Sequence, residues 1–368
     1  MQLGKISLYA SLFLVGNSAF SEDYINVQVL HYNENDSRVS VLAPSVEINK
    51  ELGTDYTLNV NVVADSVSGA SPTYYDTTSG ASAYSRGTQN DPTKIKKGNV
   101  SFEEQRTAVG ANLTTRLSNR DEVQTGINMS AEHDFYSAEL SGSYLHYLDG
   151  SKNQSITLGG SYQNNQILVK TDASSGASEK MSNNVINLQA GFSQVLNSTS
   201  VANIGVFYSK ESGYLSSPYH NIVRNGNTIE AELKPDAKTG YGVKLGYQKA
   251  LSDTIFSQFS YKYYSDDWDI KSHTLDSLFY YELNGQTTLG GGVRYYTQSK
   301  ANFYGEDFTT QKFASSDERV SSFNALTYKA SVDYKISDKL SYNFGANLYD
   351  QSTGLQATYF TTGIRYKF

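Results

Sequence analysis

Apolar and polar residues alternate with period two along almost the whole chain, the signature of strands with two unlike faces. Tyr56, Leu58, Val60, Val62 and Ala64 alternate with Thr57, Asn59, Asn61, Val63 and Asp65. Val109, Ala111, Leu113, Thr115 and Leu117 alternate with Gly110, Asn112, Thr114, Arg116 and Ser118. Leu340, Tyr342, Phe344, Ala346 and Leu348 alternate with Ser341, Asn343, Gly345 and Asn347. One face is apolar and aromatic, and the other is polar, small or charged. No segment reaches the length of apolar run that a membrane-spanning helix needs, about 18–20 residues. A soluble sandwich would alternate in the same way, so the period alone does not choose between water and lipid.

Three further features favour lipid. Connections alternate in length. Short turns fall at Gly53-Thr54, Ser118–Asp121, Asp149–Asn153, Asn197–Ser200, Ser252-Asp253, Asn284-Gly285 and Ser337-Asp338. Longer polar loops lie near 66–99, 171–182, 212–238 and 299–322. Short periplasmic turns and long outer loops are the habit of outer-membrane barrels. Aromatics gather near strand ends, as at Tyr261, Tyr263 and Tyr264, where a lipid–water interface would hold them. The chain closes on Phe360, Ile364, Tyr366 and Phe368 at period two, which resembles the signal read by the barrel assembly machinery.

Strands are expected near 24–33, 37–51, 55–66, 100–117, 122–134, 135–149, 152–169, 183–196, 200–212, 239–251, 254–267, 268–282, 286–300, 323–336, 339–350 and 355–368. The prediction is an all-β, antiparallel, up-and-down transmembrane barrel of about 16 strands. It becomes 14 if the first strand or the turn at His133-Asp134 is misread. An even count puts both termini in the periplasm.

Composition fits this picture. Of 368 residues only 38% are hydrophobic, yet there are 30 Tyr and 16 Phe. Cysteine is absent, which removes disulfides, thiolate metal sites and cysteine nucleophiles. The net charge of −7 argues against nucleic acid. Residues 1–21 carry Lys5, an apolar run from Ile6 to Val15, and small residues at Ala19 and Ser21, as a cleaved export signal requires. Residues 22–368 are then one barrel domain in the bacterial outer membrane.

Two runs carry a resemblance. Tyr32-Asn33-Glu34-Asn35-Asp36-Ser37-Arg38-Val39 with Pro44 is one, and Asp65-Ser66-Val67-Ser68-Gly69-Ala70-Ser71-Pro72 is the other. With Glu104 and Arg106, they resemble a Gram-negative outer-membrane family filed as a domain of unknown function. The resemblance implies a barrel without an assigned activity. It also implies a link to exported flavin-transfer and thioredoxin-like proteins.

Asp65 shares the phase of Asn59 and Asn61 and is expected to face the lumen. Ser66, Ser68, Gly69 and Ser71 then suit either a loop folded inward as a constriction or one that caps the rim, with Pro72 stopping the ladder. By phase, Glu104, Arg106, Arg116, Lys244, Lys262, Arg294, Lys329, Asp333 and Arg365 also point inward. Charged rings of that kind set ion preference, or else they stiffen the wall as a salt-bridge lattice. His133-Asp134 is the best acid–base pair for an enzyme barrel, but no nucleophile elbow accompanies it. Asp266, Asp267 and Asp269 around Trp268 lack calcium-loop spacing. No catalysis and no cofactor is expected. The leading expectation is a passive channel or solute-transport pore. The alternative is a non-conducting barrel that docks a periplasmic or lipoprotein partner in export or redox/flavin maturation. Membrane lipid and the assembly machinery are the other expected partners.

Overall fold

The computed structural model describes residues 22–76, 92–170 and 178–368. The expected signal peptide and parts of the first two expected loops lie outside the described residues. Sixteen antiparallel strands form a closed wall. In chain order they are β1 (Tyr24–Glu34), β2 (Val39–Leu52), β3 (Tyr56–Asp76), β4 (Ile95–Arg116), β5 (Glu122–Ala131), β6 (Phe135–Tyr147), β7 (Gln154–Lys170), β8 (Ser178–Asn197) and β9 (Ser200–Gly213). Then come β12 (Ala237–Ala250), β13 (Ile255–Asp266), β14 (Lys271–Asn284), β15 (Thr287–Gln298), β17 (Phe323–Lys335), β18 (Leu340–Gln351) and β19 (Gln356–Lys367). Among the described residues, three short strands stand outside the wall: β10 (Asn221–Arg224), β11 (Thr228–Ala231) and β16 (Asp307–Phe308). Pairing of β1 with β19 closes the circle and leaves no sheet edge to be stranded in lipid.

The wall is apolar outside and polar inside. Val27, Val62, Ile127, Leu188, Leu275 and Leu348 are exposed on the outer face, and Leu140 is 64% exposed. A contiguous belt of that kind is stable only against lipid or another apolar surface. Asn26, Asn49, Ser161 and Asn165 are buried on the inner face of the same wall. The termini share one rim with the connections at 53–55, 117–121, 148–153, 198–199, 251–254, 285–286 and 336–339; the longer connections leave from the other rim, which also carries the short turns at 35–38, 132–134, 267–270 and 352–355.

Strand tilt follows from the register. The line of partners leaving β1 at its first residue, Tyr24, runs through Asn49, Asn59, Asn112, Gly126, Ser141, Ser161, Asn187, Ser209 and Gly240. It reaches β13 at its last residue, Asp266. The line thus climbs the full wall in ten steps, about one residue per strand, as a tilted closed barrel requires.

The segment from residue 66 was expected to be a loop, and the structure corrects this. The β3–β4 ladder continues past Pro72, paired with Asn99, to Asp76 and Ile95. Beyond Gly69 the other side of β3 has no partner in β2, whose register ends at Val39. Pro72 therefore sits on a strand edge, where a missing N–H costs no ladder bond. The expected loops at 212–238 and 299–322 also contain strands: β10 and β11 in the first, β16 in the second.

Candidate functional site

The two longest described connections, residues 214–236 and 299–322, fold together over the loop-side rim. β10 pairs antiparallel with β11 and parallel with β16, so one small sheet draws on both connections. Ile222, Phe308 and Ala314 form its core. Asn221 donates from its backbone N to Thr73 Oγ1 at 2.9 Å, and from Nδ2 to the Tyr74 carbonyl at 2.9 Å. The 214–236 connection leaves the wall between β9 and β12 yet is fastened to β3, well round the barrel. Arg38, between β1 and β2, donates to Glu318 at 3.0 Å, and Lys97 of β4 lies 3.7 Å from the same carboxylate. Together these contacts make a cap that bridges the mouth.

Charge holds the cap together. Lys234 Nζ lies 3.1 Å from Glu232 Oε1 and 3.0 Å from Asp317 Oδ2, with all three side chains buried. Ser315 Oγ donates to Glu232 at 2.6 Å. Arg319 grips Asp317 through Nε and Nη2 at 2.9 and 2.6 Å. Burial alone would raise the Asp317 carboxyl, but Arg319 and Lys234 hold it well below its usual range. His220 is buried beside this cluster, and its Nδ1 has no hydrogen-bond partner. Burial pushes its pKa down, and this outweighs the pull of Asp317 and Glu232. An apolar cluster of Trp268, Ile270, Ala301, Phe303 and Val320 anchors the cap to the β13–β14 turn.

Below the cap, four ascending strands repeat one device. Inward Tyr32, Tyr264, Tyr296 and Tyr349 each donate a hydroxyl to an acceptor two residues further on. The acceptors are Glu34 at 2.8 Å, Asp266 at 2.8 Å, Gln298 at 2.6 Å and Gln351 at 2.5 Å. Allowing for the climb of the register, the four rings stand at one height. Their acceptors then reach the cap or its flanking turns. Gln298 donates to the Arg319 and Ser321 carbonyls, and Asp266 accepts from the backbone N–H groups of Trp268 and Ile270. Residue-by-residue phase reading passed over this collar. Its signal is visible as Tyr-x-(Glu/Asp/Gln) at the ends of ascending strands: YNE, YSD, YTQ and YDQ.

The expected lumen residues divide into groups. Arg106 and Asp65 meet on the inner face in a two-pronged pair, Nε to Oδ2 at 2.9 Å and Nη2 to Oδ2 at 2.5 Å. Glu104 accepts the His133 backbone N–H at 2.8 Å and so ties β4 to the β5–β6 turn. Arg116 stands at the terminus-side rim and donates to the Thr54 carbonyl and to Thr57 Oγ1. Arg365 lies 4.6 Å from the Tyr24 ring centroid. Lys244 and Lys262 are direct cross-strand neighbours. Asp276, which the phase reading did not single out, gathers Arg294 at 2.5 Å and Lys329 at 2.8 Å. Asp333 lies on the inner face of β17, two positions beyond Ser331 and four beyond Lys329. Ser66 and Ser68 are corrected: they are exposed on the face of β3 opposite Asp65. Gly69 and Ser71 are ladder positions opposite Phe102 and Val100. Among the described residues, then, no inward loop from 66–99 narrows the lumen. The mouth is bridged by the other two connections.

Asp266 is occupied as a turn staple, and Lys238 approaches it at 3.3 Å. Among the described residues no cluster of His, Asp and Glu has metal-holding geometry.

Comparison with known proteins adds three findings. The pattern of a family described as a protein of unknown function, DUF3570, matches residues 7–363. No curated protein matches. Among solved structures, CdiB from Acinetobacter baumannii is similar over 94% of this chain and 60% of its own, at 8% identity and a TM-score of 0.53, a likeness of fold. The toluene transporter TodX of P. putida matches over 95% and 91% of the two chains at 10% identity and a TM-score of 0.45. A ferric enterobactin receptor, PfeA of Pseudomonas aeruginosa, matches 90% of this chain at 10% identity and a TM-score of 0.44. The chain spans 54% of that receptor's length.

Proposed function

The chain belongs to DUF3570, a family of proteins of unknown function, and from that premise we propose that it is a bacterial outer-membrane barrel acting as a passive solute channel, with its cap controlling the mouth. One observation carries the reading. Arg294 points inward from β15, beneath the cap, and yet its side chain is 51% exposed. A guanidinium half exposed on the inner wall has space and water in front of it, and sixteen strands are the size at which barrels enclose an aqueous conduit. The rim that carries both termini faces the periplasm in this reading. Phe360, Ile364, Tyr366 and Phe368 then serve as the strand end that the assembly machinery reads.

The bridged mouth favours one second reading, a non-conducting barrel that docks a periplasmic or lipoprotein partner in export or redox maturation. Proteoliposome swelling separates the two. A channel admits a small neutral sugar, and faster once the cap is removed. A barrel that admits none, capped or uncapped, is a scaffold.

A further inference from the structure

The inner wall of β12–β17 differs in charge from the rest of the lumen at the same height. Lys244 and Lys262 are opposite one another, and so are Asp276 and Arg294. Lys262 pairs with Thr274, two residues from Asp276, and Arg294 pairs with Thr327, two residues from Lys329. These five inward side chains are therefore one contiguous patch carrying four positive charges and one negative. Allowing for the register climb, the facing wall at this level presents the neutral Asn128, Ser141 and Ser161, and the charged group beside them, Glu139, the direct partner of Asn128, is acidic.

Aromatic faces adjoin the patch. Lys262 Nζ lies 4.7 Å from the Phe207 ring centroid. Phe207 in turn stacks near-parallel with Tyr264, centroids 6.4 Å apart and planes 7° apart. Gly242 makes room for this pair. A Cβ there would come within 2.4 Å of the Phe207 ring and 2.1 Å of the Tyr263 carbonyl. Tyr264 and Tyr296 belong to the tyrosine collar directly above. A solute meeting this wall finds cations for a negative head and flat rings for an apolar body.

We propose that the β12–β17 wall is a binding site for small organic anions with a carboxylate head and an aromatic body, and that it makes the lumen anion-selective. The inference rests on the channel reading, and its test separates the two.

The test uses full-length protein in planar bilayers under a potassium chloride gradient. Chloride should permeate at least about threefold better than potassium, because fixed charge lining a pore sets ion preference. Lys244→Gln with Lys262→Gln should bring the ratio to about one or below, with heat-modifiable mobility on gels showing that the variant is folded. Benzoate should block the current at lower concentration than acetate or inorganic phosphate. Equal block by all three overturns the aromatic part of the site. Conductance with cation preference, or with a preference untouched by the double substitution, overturns the inference and leaves the channel standing. If even protein lacking its cap conducts nothing, the channel reading fails and the site is read by calorimetric titration of benzoate into the detergent-solubilised protein. Saturable binding weakened at least about tenfold by the double substitution upholds the site, and no saturable binding overturns it.

Discussion

Replacing Lys234 by Met should loosen the cap while leaving the barrel folded. Lys234 is the cation shared by Glu232 and Asp317 in a buried setting. Asp317 keeps Arg319 after the change, but Glu232 keeps only neutral donors, Ser315 Oγ and the Ser217 backbone N–H. One negative charge is then left unmatched in the interior of the cap. Removing one partner of a buried ion pair costs about 3–5 kcal/mol. At about 1.4 kcal/mol per factor of ten, the balance between closed and open cap shifts by roughly two to three and a half orders of magnitude. The wall ladder contains none of these groups, so heat-modifiable mobility should be unchanged. Hydrogen exchange read by mass spectrometry should show loss of protection across 214–236 and 299–322 with none in β5 or β6. Adding Glu232→Gln should recover most of that protection, because it removes the stranded charge. Protection unchanged in the single variant, or a double variant as loose as the single, would refute the charge argument.

Three further outcomes are expected. Leu140→Arg places a charge in the lipid-facing belt and should cost roughly 2–4 kcal/mol of barrel stability; Ser141→Arg, facing inward, should be milder in a urea titration of folded protein in vesicles, and the reverse order would overturn the phase of β6. His220 has a depressed pKa in the closed cap, so the open cap takes up a proton first as pH falls below about 6.5; stability conferred by neutral His220 is present above that value and is lost as pH falls toward the lowered one. Protease cleavage within the cap should therefore rise between neutral pH and pH 5 or so, and His220→Gln should flatten that rise; a parallel rise in the variant would place the sensitivity elsewhere. Deleting Phe368, whose backbone N donates to the Asp23 carbonyl at 3.1 Å beside the β1–β19 seam, should lower the yield of folded barrel in membrane fractions, and undiminished yield would argue against a terminal assembly signal.

The wall was legible because a barrel in lipid writes its two environments onto alternate residues. Leu113 and Asn112 declare their faces without reference to any partner strand. The cap was not legible, because it depends on pairing between Val223 and Asp307, far apart in sequence and each within a polar run. Its core uses single apolar residues such as Ile222 and Phe308, which make no period. The extension of β3 was hidden by composition. Ser, Gly and Pro favour turns, and pairing with β4 along the whole stretch holds it extended. Phase brought Arg294, Lys329, Lys244 and Lys262 to the inner face. It could not place Asp276 among them, because membership in that cluster depends on the β14–β15 register.

The most direct test of a capped channel is single-channel recording of the purified protein beside its Lys234→Met variant in the same bilayer. The account predicts small or intermittent currents for the native protein, and larger, longer openings once the buried cation is gone. Silent membranes for both proteins, with the variant's cap shown by hydrogen exchange to be open, would contradict it.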